Sequence, residues 1–496
     1  MMSIRMLAVL MAVVLGSNWA AADQCFLTFD GPLYEGPQVQ IRDDGEFIEV
    51  AGQRFSKSSV KTMSGLGPIS GLDVYAHRER ALRREQPTGA GAWLQLAQFC
   101  VAQDLAPEAR ACFEKVLTLD PDAEQAAAAR SGIEGLAWDP AWWEADDEQF
   151  RLDADALEQA GTARFIAPGG DDAAGDGTRE HPWASLQHAW RQAKPGHVLL
   201  LREGEYDWDR RVEFRGGGGE PGAPVTIAAY PGETVRLKSG LHFWRQAAHF
   251  RVIDLKVEAA IGLRDADFAD VVRCEVFHAG AYHGIGTMGR CRRVRILDCH
   301  VHHNGRTGTN LDHGIYIGAG TNVLVRGNTI HDNAAYGIHV FSENWRGKGI
   351  VTRVVAEDND VWGHGFRGGL IAANLVTDVV FRGNTVHDNG LGVAVVYSPG
   401  HVRVEDNDIA DNDLGLRIGK LRETATIRAN RLRDCDVFLR VEPECPTEQL
   451  ALADNVYDRD HDEAFEWLGQ AGDFAAFRSR SNKGQGSTVK SAAPAR

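Results

Sequence analysis

The chain has 496 residues, a formal net charge of −16 and a composition that is 44% hydrophobic. That length calls for two or three domains, because single cores stop growing well before it. The acidic balance excludes general affinity for nucleic acid or anionic membrane. Eight cysteines without a CxxC motif exclude a small disulfide scaffold and a Cys-pair zinc site.

Residues 1–22 read as a secretory signal. Arg5 supplies the positive start, residues 6–16 are apolar, and Ala20, Ala21 and Ala22 offer a cleavage site before Asp23. The apolar run is too short to span a bilayer, and no later stretch reads as a membrane span. The expected mature protein is exported, periplasmic or extracellular. Residues 23–70 alternate apolar and polar positions between turns such as "RDDGE", which predicts a small β unit.

A helical block follows over residues 72–136. Trp93, Leu96, Ala97, Ala109, Phe113 and Pro121 match the tetratricopeptide spacing, and the segment resembles one such repeat with a flanking helix on each side. The resemblance implies packing against a neighbouring domain or contact with a protein partner. Cys100 with Cys112, and Cys435 with Cys445, are candidate local disulfides. Residues 137–162 form an acidic, Trp-containing linker. Its stretch 139–158 holds eight acids against Arg151, whereas Arg290, Arg292, Arg293, Arg295 and Arg306 cluster around Asp298.

From residue 163 the pattern changes. A strand, a Gly/Asp loop, an amphipathic helix over about 184–193 and the strand in "PGHVLLLREGEY" come in succession. Then one slot recurs at Asn328, Asn359, Asn384, Asn407, Asn430 and Asn455, continued upstream by Cys299, Cys274 and Leu255, at intervals of 19, 25, 29, 31, 25, 23, 23 and 25 residues. Each unit holds short strands with inward Val, Ile or Leu and has no room for a crossover helix. The fold class is therefore mainly β: a right-handed parallel β-helix over residues 163–457, with an N-terminal cap helix that hides the open edge and apolar interior of the first coil. The recurring Asn side chains should stack inside and tolerate left-handed turn geometry. Cys274 and Cys299 should pack as small buried groups. Residues 458–496 leave the repeat as a C-terminal tail, expected to be disordered after Gly484.

Residues 163–480 resemble secreted β-helix proteins of the pectate-lyase-like superfamily, whose members include polysaccharide lyases, C5-epimerases and glycoside hydrolases. Eleven of the 18 histidines lie between His278 and His401. His302, His331 and His387 recur at one slot and are assigned to stacking, with no metal role. Tyr316 and His339 do not recur; strand alternation turns them outward beside one another. His283, His313 and Asp312 lie at the adjoining bend. Two lengthened loops, "NGRTGTNLD" and "FSENWRGKG", bring Arg306, Trp345, Arg346 and Lys348 to the rim.

The resemblance implies a lyase or epimerase acting on an anionic, uronate-containing polysaccharide. In that role His339 would be base and Tyr316 acid, His313 would be oriented by Asp312, and Arg306 or Lys348 would clamp the carboxylate. Arg346, Trp345 and His283 would contact substrate. The calcium-binding carboxylates and catalytic Arg of pectate lyases are missing, as is the DPHD-type motif of mannuronan epimerases. No cofactor is required, although Ca2+ could bind "EDNDIADND" at 405–413. A hydrolase would need two carboxylates, for which Asp312 and Glu343 are the candidates. "GHG" at 363–365 and "RIGK" at 417–420 resemble polygalacturonase motifs without their paired aspartates. The alternative is a non-catalytic module that binds glycan or a surface partner.

Overall fold

The computed structural model describes residues 147–489 apart from 209–210, 221, 245–246, 282, 290, 310, 343–350 and 365–366. Nearer the N-terminus it describes six short strands between 25 and 63, and residues 78–79, 82, 89–102, 106–119 and 121–135. The chain divides into two units, 1–138 and 139–496. No helix among the described residues is long and apolar enough to cross a membrane.

In the first unit, two three-stranded antiparallel sheets precede three helices, Ala90–Ala102, Ala106–Leu117 and Ala123–Gly135. Trp93, Leu96, Ala97 and Cys100 share one helical face and meet Ala109, Cys112, Phe113 and Val116 of the next helix. A Cβ at Gly132 would overlap the Phe113 ring, so glycine permits the third helix its close approach. Cys100 and Cys112 are buried free thiols, as are Cys435 and Cys445; neither expected disulfide forms.

The second unit is a solenoid. Three 12-stranded sheets run along it, and the chain visits them in turn. One coil shows the rule: Gly320–Arg326 lies in the first sheet, Thr329–His331 in the second and Tyr336–Phe341 in the third, after which Val351–Glu357 begins the next coil. Coil-to-coil pairing is parallel, with Val325 opposite Ala356, Ile330 opposite Val361 and Ile338 opposite Leu370. These inward side chains belong to one apolar core that extends from Ile166 to Phe477.

Both turns of a coil carry a ladder. In the anticipated one, Asn328, Asn359, Asn384, Asn407, Asn430 and Asn455 are each about fully buried. Asn384 Oδ1 accepts from the backbone N and Nδ2 of Asn359 at 3.1 and 2.9 Å, while its Nδ2 donates to Ala356 O and to Asn407 Oδ1, both at 2.9 Å. Ser487 Oγ closes the row by accepting from Asn455 N at 3.0 Å. The left-handed backbone does not fall on the Asn, as expected, but on the residue before it: Asp298, Asp358, Asp406 and Asp454 have φ of 52°, 55°, 59° and 57°. Asp bends the chain and Asn then satisfies the backbone that the bend has unpaired. Five residues further on, a second ladder runs through Asn304, Asn333, His364, Asn389 and Asn412. Cys274 and Cys299 occupy the first ladder's slot, with Sγ turned to backbone carbonyls.

Both ends are closed. The helix Leu186–Gln192 is capped by Ser185 and inserts Trp190 against Phe214, Phe243 and Phe250, with ring centroids 5.0, 5.6 and 6.0 Å away. At the far end Phe474–Ser481 lays Phe477 against Phe465 and Trp467, at 5.2 and 5.6 Å. The sheets continue past residue 457: Phe465–Trp467 extends the third, and Thr488–Val489 pairs with Val456–Tyr457 in the second. The segment expected to be disordered after Gly484 is thus ordered to 489.

Replacing Asn384 with Leu should lower the unfolding free energy by about 1–3 kcal/mol, because buried partners on both adjoining coils lose a hydrogen bond. A denaturant titration followed by circular dichroism checks this; an unchanged midpoint would deny the ladder a stabilising role.

Candidate active site

Along one outward column of the third sheet, register places Glu213, His242, Gly262, Gly286, Tyr316, His339, Ile371, Ala394 and Arg417. Tyr316 and His339 are therefore direct neighbours, with ring centroids 5.4 Å apart. Ile315, Ile317, Ile338 and Val340 on either side point into the core. Gly286 leaves room above it, and the His283 ring fills that room, stacked on Tyr316 at 4.2 Å.

His313 joins the group from the bend. Its ring lies 4.3 Å from that of His339, edge to face, and its Nε2 is 2.8 Å from His339 Nδ1. The proton positions follow from the partners. Tyr336 N–H donates to His313 Nδ1 at 3.3 Å, so neutral His313 carries its hydrogen on Nε2 and donates it to His339 Nδ1. His339 then holds its own hydrogen on Nε2. In the same way His313 N–H donates to His283 Nδ1 at 3.2 Å and leaves the His283 hydrogen on Nε2.

Asp312 does not orient His313. It is 3% exposed and accepts from Arg306 N at 3.0 Å and Arg306 Nε at 2.8 Å. Desolvation opposes the charge of Asp312, but bonding to Arg306 outweighs it and holds the carboxyl below its usual range. The two residues therefore brace the "NGRTGTNLD" loop, and Arg306, expected to clamp a substrate carboxylate, is engaged with a protein one. Trp345, Arg346, Lys348 and Glu343 lie outside the described residues. A cation that sequence reasoning missed belongs to this group: Arg367 hydrogen-bonds Tyr336 and acts electrostatically on His313. Its only signal was its place just before Gly368, which pairs with Tyr336. Further along the same face, Arg417 Nε donates to Glu442 at 2.6 Å.

Other candidates fall elsewhere. His302, His331 and His387 stack on the second sheet with Phe277 and Trp362 between or beside them. His364 of "GHG" is a rung of the second ladder. In 405–413, Asn407 and Asn412 are inward rungs and Asp408 pairs with Arg433.

Burial governs the imidazoles. It pushes His283 and His364 down to about 4; it pushes His339 down to about 3, with His283 adding to the effect, and takes His313 lower still. All four are neutral at pH 7. An unfolded chain takes up protons on these rings as pH falls through the ordinary 6.5, while the folded chain refuses them. Stability should therefore be level above about pH 7 and fall as pH drops from 6.5 toward 4. His364→Asn continues the second ladder with the residue used at Asn333 and Asn389. It should make the thermal midpoint less steeply pH-dependent across that window; identical slopes for the two proteins would contradict the assignment.

Comparison with known proteins gives partial matches. The family described as "Right handed beta helix region" matches residues 246–346 and 271–376. The uncharacterized protein YwoF of Bacillus subtilis (strain 168) is 33% identical over 78 residues, a match that spans 16% of this chain and 16% of that protein. Among solved structures, an alginate lyase from Paenibacillus sp. str. FPU-7 is 17% identical, with a TM-score of 0.41 over 50% of this chain and 94% of its own. Pectate lyase Pel9A is 15% identical, with a TM-score of 0.37 over 67% of this chain and 78% of its own. A GH136 lacto-N-biosidase from Eubacterium ramulus is 12% identical, with a TM-score of 0.41 over 81% of this chain and 75% of its own. With three parallel sheets visited in turn, an apolar interior and stacked turns, the second unit folds as a right-handed parallel β-helix.

Proposed function

We propose that the protein is an exported carbohydrate-active enzyme, a lyase or C5-epimerase working on uronate-containing polysaccharide. The observation that carries this reading is the His313–His339 hydrogen bond of 2.8 Å beside Tyr316, on the outward line of one sheet. Both reactions begin by removing the proton at C5, next to the uronate carboxylate. In elimination the C4–O bond then breaks and the leaving oxygen takes a proton; in epimerisation a proton returns to the opposite face of C5. Each needs a proton acceptor, a donor and a group that steadies the enolate-like charge.

The bonding around His313 favours roles different from the sequence expectation. His339 carries its hydrogen on Nε2, which suits it to donate to the substrate carboxylate or the leaving oxygen. Burial lowers its basicity and so weakens it as an acceptor. That leaves Tyr316, next to His339 on the same line, as the group to exchange the C5 proton. Arg367 is the cation placed to hold the carboxylate. A hydrolase is less well served, since Asp312 is engaged with Arg306. Export rests on residues 1–22, and the helices over 90–135 are the part suited to a protein contact.

The same depressed basicity favours a second reading, a module that binds uronate polymer without cutting it. The two separate in one experiment. The full chain is incubated with a panel of uronate polymers, and unsaturated product is followed by absorbance and C5 exchange by deuterium incorporation. Tyr316→Phe and His339→Ala should each lower turnover by roughly 10²-fold, the scale on which general acid–base groups act. His387→Ala, on another sheet, should spare it. Binding without product or exchange on every polymer would leave the binding module as the reading.

A further inference from the structure

The second sheet carries a histidine cluster that the proposed chemistry does not use. His300 and His302 flank inward Val301 on one strand, so both face outward; His331 sits one coil further, opposite His302. His303 occupies the corner after them. Stacking accounts for part of this. The His302 ring lies parallel to Phe277 at 5.4 Å and to His331 at 5.0 Å, with interplanar angles of 7° and 4°. Stacking occupies ring faces, however, and leaves the nitrogen-bearing edges to meet one another.

Those edges converge. His300 Nε2 is 2.7 Å from His331 Nε2, and His302 Nδ1 is 2.8 Å from His303 Nδ1. Glu275 Oε1 is 3.3 Å from His302 Nε2, and Asp332 Oδ2 is 2.8 Å from His331 Nδ1. Ligand atoms of Glu275, His300 and His302 all lie within 4.8 Å of one another, as do those of His303, His331 and Asp332. Nothing in the coil repeat demands this. The column of His300 continues as Thr329, Asp360 and Thr385, and the column of His302 reaches Ala410.

We propose that this cluster is a site for a divalent transition metal of the zinc class, with Glu275, His300 and His302 as the first ligand set and His303, His331 and Asp332 adjoining it. Two imidazoles and one carboxylate suit zinc, nickel or copper and leave coordination positions open. His302 is already held between the parallel rings of Phe277 and His331, so it loses little side-chain freedom when an ion binds. One cation competes: Lys256 Nζ lies 2.9 Å from Glu275 Oε2, which leaves Oε1 for the metal. The site lies on a different sheet from Tyr316 and His339, so it is a structural or accessory centre.

The test is isothermal titration of the full chain, carrying no histidine tag, with zinc chloride and then nickel chloride. At least one ion per chain is expected. The variants are chosen from residues that the same columns and corners already hold: His300→Thr, His302→Ala and His303→Gly, the last matching Gly363 at the equivalent corner. His300→Thr and His302→Ala should each weaken binding by tenfold or more while keeping the wild-type circular dichroism spectrum, and His303→Gly should do so to a smaller degree. His387→Ala, in the same ring column but outside the cluster, should bind as wild type does. Zinc should also raise the thermal midpoint of the wild type and not that of His300→Thr. Binding of less than one ion per chain, or equal affinity in wild type, His300→Thr and His302→Ala, would overturn the site.

Discussion

Each coil of this solenoid turns sharply twice within five residues, and at each turn backbone groups leave the sheet with no strand to receive them. In a buried position such groups cost about as much as a lost hydrogen bond. Over the coils from Asn328 to Asn412 the two ladders answer that cost, each Asn of the first accepting from the rung before it and donating to a carbonyl and to the rung beyond, while Cys274 and Cys299 fill the same slot in earlier coils. The apolar core supplies most of the driving force and rules out one-residue slips, which would turn its side chains outward, but it tolerates slips of two. The ladders fix register, and register decides which side chains meet on the outside. Tyr316 stands beside His339, and His302 beside His331, because the turns are locked.

That dependence explains how much could be read in advance. The first ladder was legible because Asn recurs at six positions with short, regular intervals, and period is what a one-dimensional string carries well. The second ladder was not, since His364 and Cys435 interrupt it and its Asn residues hide in "HDN" and "ADN" triplets that read as generic turns. The left-handed residue was placed one position late, on Asn instead of the preceding Asp, because both tolerate that geometry. The outward pairing of Tyr316 and His339 followed from alternation alone. The pairing of Asp312 with Arg306 did not, since it is made across a loop, where no period applies.

The two histidine groups show how one scaffold yields different chemistry from one residue type. Around His313 the rings are buried, neutral and linked to backbone N–H groups, which sets each tautomer. On the second sheet the rings are half-buried and meet carboxylates as well as each other. The coil repeat already separates His302 and His331, which recur at one slot, from His313 and His339, which do not. Their surroundings then separate rings that meet backbone N–H groups from rings that also meet carboxylates.

The first ladder also has a direction. From Asn328 to Asn430, every side-chain amide hands its hydrogen to the oxygen of the rung nearer the C-terminus, and none points the other way. Turning a single amide over would set two donors face to face on one side and two oxygens face to face on the other. The six orientations are therefore not six separate choices. They form one aligned row of dipoles whose sense is settled once for the whole length, with each amide polarising the next. Ser487, just before the strand Thr488–Val489, stands at the terminus toward which the rungs point.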